Sequence, residues 1–266
     1  MNATTFLSDV IALAREAGEA IMSIYAEGFD VQRKDDNSPL TAADLAAHHI
    51  IMGGLERLQP AYPVISEESA SIPFETRQQW ATYWLVDPLD GTREFIKRNG
   101  EFTVNIALIH QHEPVLGVVF APALGLLFHA TRGNGAWRQL GKQPPQRIQC
   151  RPYDPTQVTV AGSRSHADER LMAFLQRIGP HMLISMGSSL KICLVAEGRA
   201  DVYPRLGLTS EWDTAAAQCV LEEAGGRLID SQGRTMRYNT KDSLLNPEFF
   251  ACGSKPPDWT AHLDPA

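Results

Sequence analysis

Between residues 103 and 131, three apolar runs (103–110, 115–121 and 126–131) are divided only by Glu113-Pro114 and by the stretch from Pro122 to Gly125. A parallel neighbour needs a crossover of a dozen or more residues, so connections this short predict an antiparallel meander. Gly133-Asn134-Gly135 adds another tight turn. Two helices are expected before it. Phe6, Val10, Ile11, Leu13, Ala14, Ala17, Ile21 and Ile24 make an apolar stripe over 5–25, and a second helix is read from Thr41, its N-cap, to about Leu58. Residues 83–87 read as a buried strand.

After the proline-rich stretch 144–155 the pattern changes. Strands are expected near 157–161, 182–186, 200–203, 227–229 and 248–252. Helices are expected at about 168–178, from Ser188 to Glu197, and from Trp212 to Gly225-Gly226. Alternation of this kind belongs to an α/β layer. The 144–155 stretch is read as a seam between two halves, about 1–148 and 152–266, of a single catalytic unit.

The chain has 266 residues, of which 44% are hydrophobic, and a formal net charge of −7 without any basic run. A polynucleotide partner is therefore not expected, whereas a small anion remains compatible with a locally positive site. Cys150, Cys193, Cys219 and Cys252 lie far apart with no CxxC pair, which suits free thiols in a reducing compartment. Asp9, Arg15, Glu16 and Glu19 interrupt the first twenty residues, so no signal peptide is expected. The most apolar later stretch, 115–130, is broken by Gly117, Pro122 and Gly125 and is not expected to span a membrane. The location read from this is cytoplasmic.

The stretch "WLVDPLDGTREF" ends the strand at 83–87 with Asp87 and Asp90 around a Pro and a Gly. Two carboxylates held together by a tight turn disfavour each other unless something positive lies between them. An all-oxygen set with no His or Cys nearby suits a hard cation such as Mg²⁺. Gly91 and Thr92 can offer backbone N–H groups to an anion on the same turn, and the Leu89 carbonyl can serve as a neutral ligand. Glu67-Glu68 follow the apolar run Pro63-Val64-Ile65, Asp213 opens a helix after Trp212, and Asp44 lies one turn into the second helix. Each has a plainer reading: surface charge for the glutamates, a helix-dipole contact for Asp213, a capping box for Thr41-x-x-Asp44.

"DPLDGT", with "SEES" upstream and "WDTAAAQCVLEEAGG" downstream, resembles the inositol monophosphatase superfamily of Mg²⁺-dependent, lithium-sensitive phosphatases. More narrowly, "KDDNSPLTAAD", "SRSHAD", "GSSLKICLVAEGRADVYPRLGLTSEWDTAA" and "LLNPEFF" are similar to its bacterial 3'(2'),5'-bisphosphate nucleotidases. The likeness runs from about residue 10 to 252. It implies a five-layered α/β/α/β/α sandwich. It also implies two or three Mg²⁺ ions held by Glu67, Asp87, the Leu89 carbonyl, Asp90 and Asp213, with Glu68 outside that shell. Thr92, paired with Asp44, would position and deprotonate the attacking water, and Lys34, Asp36 and Asn37 would lie on a loop closing over the metals.

The implied reaction removes the 3'-phosphate of adenosine 3',5'-bisphosphate to give AMP, with 3'-phosphoadenylyl sulfate as a second substrate. The position seven before Asp213, acidic in the family's inositol phosphatases, is Leu206 here. Ser188, Lys191, Tyr203 and Arg205 follow the nucleotidase pattern, and Lys191 and Arg205 are candidates for the second phosphate. The plainer alternative makes Ser188 a helix cap and Lys191 a solvated side chain. His166 would approach the base, or else be structural. An inositol or sugar-phosphate phosphatase is the alternative on the same scaffold, and a non-catalytic metal or anion sensor is the alternative from another class. The family includes peripheral attachment to the inner membrane face, and the oligomeric state is left open.

Overall fold

The structure, a computed structural model, describes residues 2–27, 31–33, 39–69, 71–163 and 169–263. Helix α1 (Leu7–Glu27) follows a 3₁₀ turn at Ala3–Phe6, and it buries Val10, Leu13, Ala14, Ala17 and Ile21 along one stripe. A short antiparallel pair, β1 (Val31–Arg33) and β2 (Pro39–Thr41), leads into α2 (Ala42–Glu56). Thr41 caps α2, and Asp44 closes the capping box from its third position.

Seven strands form the first sheet in chain order: β3 (Val64–Ser66), β4 (Thr82–Asp90), β5 (Thr103–His110), β6 (Glu113–Ala121), β7 (Leu126–Thr131), β8 (Ala136–Leu140) and β9 (Gln146–Ile148). Short helices α3 (Phe74–Arg77) and α4 (Thr92–Ile96) flank β4. Only the β3–β4 pair is parallel, and from β4 onward every neighbour is antiparallel, as the short connections require. The expected meander is present. Strand β6 begins at Glu113, not residue 115, because Pro114 is absorbed where the register shifts beside Leu108 and Ile109. Strands β8 and β9 extend the meander beyond the stretch read from sequence.

The second sheet has the order β11–β10–β12–β14–β13, from β10 (Thr159–Ser163), β11 (Met182–Met186), β12 (Val202–Arg205), β13 (Arg227–Asp230) and β14 (Phe249–Cys252). Helices α5 (Glu169–Ile178), α6 (Leu190–Ala196) and α7 (Ala215–Glu223) connect or cover these strands. Strand β10 is parallel to β11 and β12, while β14 is antiparallel to both β12 and β13.

Side-chain alternation then sets the layers. Trp84, Val86, Val104, Ile106 and Leu108 face α1 and α2, whereas Tyr83, Leu85, Ala107 and Ile109 face the core shared with α6 and α7. That core continues into the second sheet through Ala161, Tyr203, Phe249 and Ala251. Their neighbours Val160, Val202, Phe250 and Cys252 point the other way, towards α5 and Trp259. The order is helices, sheet, helices, sheet, helix, the five-layered sandwich expected. Gly117 lets the middle helices approach, since a Cβ there would fall 2.2 Å from the Ala216 carbonyl oxygen.

The inner core draws on residues from both sides of the 144–155 stretch, and within that stretch the Cys150 amide donates to the Ala224 carbonyl. All four cysteines are buried free thiols, and burial pushes Cys150 and Cys252 up to about 12. Among the described residues, no helix is long and apolar enough to cross a membrane.

Candidate active site

The site begins where β4 stops behaving as a strand. Asp87 still pairs with Asn105, but Asp90 pairs with Thr103, so β4 gains one residue over β5. The Leu89 amide donates to Asp87 Oδ1 at 3.0 Å, folding the chain back on that carboxylate. Gly91 follows at φ 90°, ψ 42°, in the left-handed region, and Thr92 starts α4. A Cβ at Gly91 would press on the Glu101 carbonyl oxygen and on Ser188 Cβ, both at 3.3 Å. The turn thus needs glycine for its conformation and for the closeness of the opposing loop.

Asp213 arrives from the other half. It was expected at the start of a long helix from Trp212. Instead a separate 3₁₀ turn, Glu211–Asp213, precedes α7, and Ser210 and Asp213 form its capping box. The Ser210 amide donates to Asp213 Oδ2 at 2.8 Å, which fixes the Asp213 side chain at the start of this turn. One oxygen from each of Asp87, Asp90 and Asp213 lies within 4.8 Å of the others.

Three clustered carboxylates are costly on their own. Burial, then Glu67, Asp90 and Asp213 nearby, holds Asp87 well above the usual carboxylate range. Burial raises Asp90 to about 6 although Lys191, the Ser189 amide and Asn105 oppose it. Burial and the Asp90 charge raise Asp213 to about 8. This donor set fits a hard divalent cation: it is all oxygen, mutually repelling and spaced for shared coordination.

Asp90 is aimed from three sides. Ser189 N donates to its Oδ2 at 2.6 Å, and Thr103 Oγ1 and Asn105 Nδ2 approach the same atom at 3.4 Å. Ser189 Oγ donates in turn to Asn105 Oδ1 at 2.8 Å, which fixes the amide's orientation. None of Ser189, Thr103 and Asn105 was anticipated. Asn105, an amide in the interior of the apolar run 103–110, was the available signal.

Thr92 Oγ1 donates towards both Asp44 Oδ1 and the Leu89 carbonyl, each at 3.4 Å. Asp44 Oδ2 already accepts from Thr41 N at 2.7 Å and from Thr41 Oγ1 at 2.6 Å, which leaves Oδ1 facing Thr92. The capping-box reading of Asp44 and its pairing with Thr92 are therefore both present, one on each oxygen.

Glu67, Asp87, Leu89, Asp90, Gly91, Thr92 and Asp213 line one cavity of about 330 Å³. Its opposite wall carries Ser188, Lys191, Tyr203 and Arg205. Lys191 is not a solvated side chain, being only 6% exposed; its Nζ donates to the Ser188 carbonyl at 2.5 Å and lies 5.3 Å from the Tyr203 ring centre. Burial lowers it to about 8, against the pull of Asp90. Ser188 does not cap α6: it sits at φ 47°, Ser189 occupies the cap position, and Ser188 Oγ is buried without a hydrogen-bond partner among the described residues. Arg205 Nη2 donates to the Leu208 carbonyl at 2.8 Å, while its Nε is buried without a hydrogen-bond partner among the described residues. Leu206 packs in the outer core with α5, so Arg205 is the residue that faces the cavity.

Glu68 is not part of the cavity lining. Lys34, Asp36, Asn37 and His166 lie outside the described residues.

The sequence matches the model of the inositol monophosphatase family over residues 3–260. It is 52% identical over 245 residues to the 3'(2'),5'-bisphosphate nucleotidase CysQ of Salmonella typhimurium, covering 91% of this chain and 98% of that one. Among solved structures, CysQ from Bacteroides thetaiotaomicron superposes with a TM-score of 0.84 at 39% identity, covering 96% and 99% of the two chains. An inositol monophosphatase from Anabaena superposes with a TM-score of 0.78 at 25% identity, covering 98% and 96%.

Proposed function

This chain belongs to the inositol monophosphatase family, and we propose that it is a metal-dependent phosphomonoesterase that removes the 3'-phosphate of adenosine 3',5'-bisphosphate to give AMP. 3'-Phosphoadenylyl sulfate, converted to adenylyl sulfate, is the second substrate. One observation carries the reading: an acidic cluster, the Thr92 hydroxyl backed by Asp44, and two cationic side chains meet at one cavity.

Asp87, Asp90, Asp213 and Glu67, with the Leu89 carbonyl, would hold two or three Mg²⁺ ions. When bound, Mg²⁺ makes water more acidic and offsets charge on the phosphoryl oxygens. The protein's own part is placement and proton handling. With Asp44 Oδ2 saturated by Thr41, Asp44 Oδ1 can take the proton of Thr92 as Thr92 Oγ1 takes one from the attacking water. Water oxygen bonds to phosphorus, the bond to the 3'-oxygen breaks, and that oxygen leaves with a proton returned from solvent. Gly91 and Thr92, at the cap and start of α4, line the cavity, and their amides would serve the phosphate.

Lys191 and Arg205 would receive the non-reacting 5'-phosphate, and the unpartnered Ser188 Oγ and Arg205 Nε are polar atoms that such a ligand would satisfy. A cytoplasmic setting, supported by four free buried thiols, belongs to the same proposal. Phosphate release measured side by side from adenosine 3',5'-bisphosphate, 3'-AMP and inositol 1-phosphate, with and without chelator, tests it. The bisphosphate should be turned over best, and chelator should stop the reaction. Faster release from inositol 1-phosphate would move the enzyme to the other branch of the family.

A further inference from the structure

The turn carrying Asp213 is held from outside its own helix. Locally it has the Ser210–Asp213 box and the Thr214 amide on the Glu211 carbonyl. The turn also packs against β4 and β5, and among the described residues most of its hydrogen bonds from outside itself come from the segment between β13 and β14. Asn246 is buried, and its Nδ2 reaches Ser210 O at 2.6 Å and Thr209 Oγ1 and Thr214 Oγ1 at 3.1 Å each. Its backbone amide donates to Thr209 O, and the Glu211 amide donates to Leu244 O, both at 2.8 Å. The same segment is pinned at its start. The Asn239 amide donates to Glu211 Oε2 at 2.7 Å, and the buried Arg77 guanidinium grips Asn239 Oδ1 and the carbonyls of Lys241 and Asp242.

Asp213 is pushed away from its partners by their charge, and a three-residue turn between coil and helix has little of its own to resist that push. We propose that Asn246 is a positioning residue for the metal-binding carboxylates: it ties both ends of the 209–214 turn together and so keeps Asp213 at the spacing a cation requires. This rests on the metal-site reading above. An amide suits the task because it donates to a carbonyl and two hydroxyls without adding charge beside the acids. The motif "LLNPEFF", which the catalytic reading leaves unused, acquires a reason in this way.

The test is a Mn²⁺ titration of the whole protein, followed by the electron paramagnetic resonance signal of free Mn²⁺, alongside the Mg²⁺ dependence of phosphate release. Asn246→Ala should weaken Mn²⁺ binding about tenfold or more, as loss of a ligand-orienting partner does. It should also raise the Mg²⁺ needed for half-maximal activity, with kcat recovered at high Mg²⁺. Asn246→Ser, which keeps one small donor, should show a smaller shift. Val160→Ala, a destabilising change in the outer core, should leave the Mn²⁺ affinity within twofold of wild type and so separates positioning from general softening. If Asn246→Ala does not fold, Asn246→Ser decides the matter. Wild-type Mn²⁺ affinity in the folded Asn246 variants would overturn the proposal. Mn²⁺ binding that is no stronger in wild type than in Asp213→Asn would instead overturn the metal-site reading on which it stands.

Discussion

Buried and half-buried aspartates occur in two very different settings. Asp201, 3% exposed, is met by Arg151 through Nε at 2.8 Å and Nη2 at 2.5 Å, and by the Thr159 amide at 2.7 Å. Each of its oxygens has a positive or N–H partner, and the pair draws the 150s loop onto β10 and β12. Asp87, Asp90 and Asp213 are packed against one another instead, and burial raises all three. The first arrangement is electrostatically complete within the chain. The second keeps three mutually repelling carboxylates together despite an N–H donor to each, which is the arrangement the proposed metal site would use.

The comparison breaks most sharply at Asp90. Asp90→Asn should lower kcat/KM by a thousandfold or more, because a neutral amide is a poorer ligand for a hard cation. Metal-free stability should hold or rise, since one member of a mutually repelling carboxylate cluster is gone. Equal loss of stability and activity, read by urea unfolding beside phosphate release, would mean that Asp90 is structural like Asp201.

Thr92→Ala should lower kcat by about a hundred- to a thousandfold with KM and Mn²⁺ affinity little changed, as for a group acting on the attacking water. A rise in KM alone would make Thr92 a substrate clamp.

The converse change is Arg151→Ala. It leaves Asp201 buried without its cation and should cost about 2–3 kcal/mol of stability, at the lower end for a broken buried pair because Arg151 is itself 35% exposed. Activity per folded molecule should not move, and a fall in kcat under conditions of full folding would refute the division drawn here.

Arg205→Ala should cost about ten- to a hundredfold in kcat/KM with adenosine 3',5'-bisphosphate, the range of a charge-assisted hydrogen bond of ~1.5–3 kcal/mol. The loss should be small with a 3'-monophosphate, which lacks the second phosphate. Equal losses on both substrates would assign Arg205 to the reacting phosphate or to the fold.

The smallest effect concerns a buried imidazole whose Nδ1 has no hydrogen-bond partner among the described residues. His129, 8% exposed on β7, has an unpartnered Nδ1, and burial with Arg15 nearby lowers it to about 4 from 6.5. The unfolded chain therefore takes up the proton first, and stability declines as pH falls from about 6.5 towards 4. At pH 5.5 the loss should be about 1 kcal/mol. His129→Asn should flatten that decline without removing it, because His48 is lowered as well. A variant whose urea midpoint falls with pH as steeply as wild type would sink this assignment.

Much of this protein was decided by interactions short enough to read along the chain. Tight connections forced the 103–131 meander, the Asp–Pro–Leu–Asp–Gly–Thr turn required a glycine in the left-handed region, and the Thr41–Asp44 box set the start of α2. These follow from steric and hydrogen-bonding demands acting over a few residues. What stands opposite the acids was settled only in three dimensions. Asp213 meets Asp90 across 123 positions of chain, Ser189 and Asn105 aim Asp90 from α6 and β5, and Lys191 is buried because β12 covers it. The facing of Arg205 and Leu206 was likewise set by which side of β12 meets α5, and Asp213 sits in a separate capped 3₁₀ turn ahead of α7 instead of at the start of one helix from Trp212. Local sequence specifies which groups are chemically capable, whereas their distances and burial, and hence their charge states, depend on packing between segments far apart in the chain.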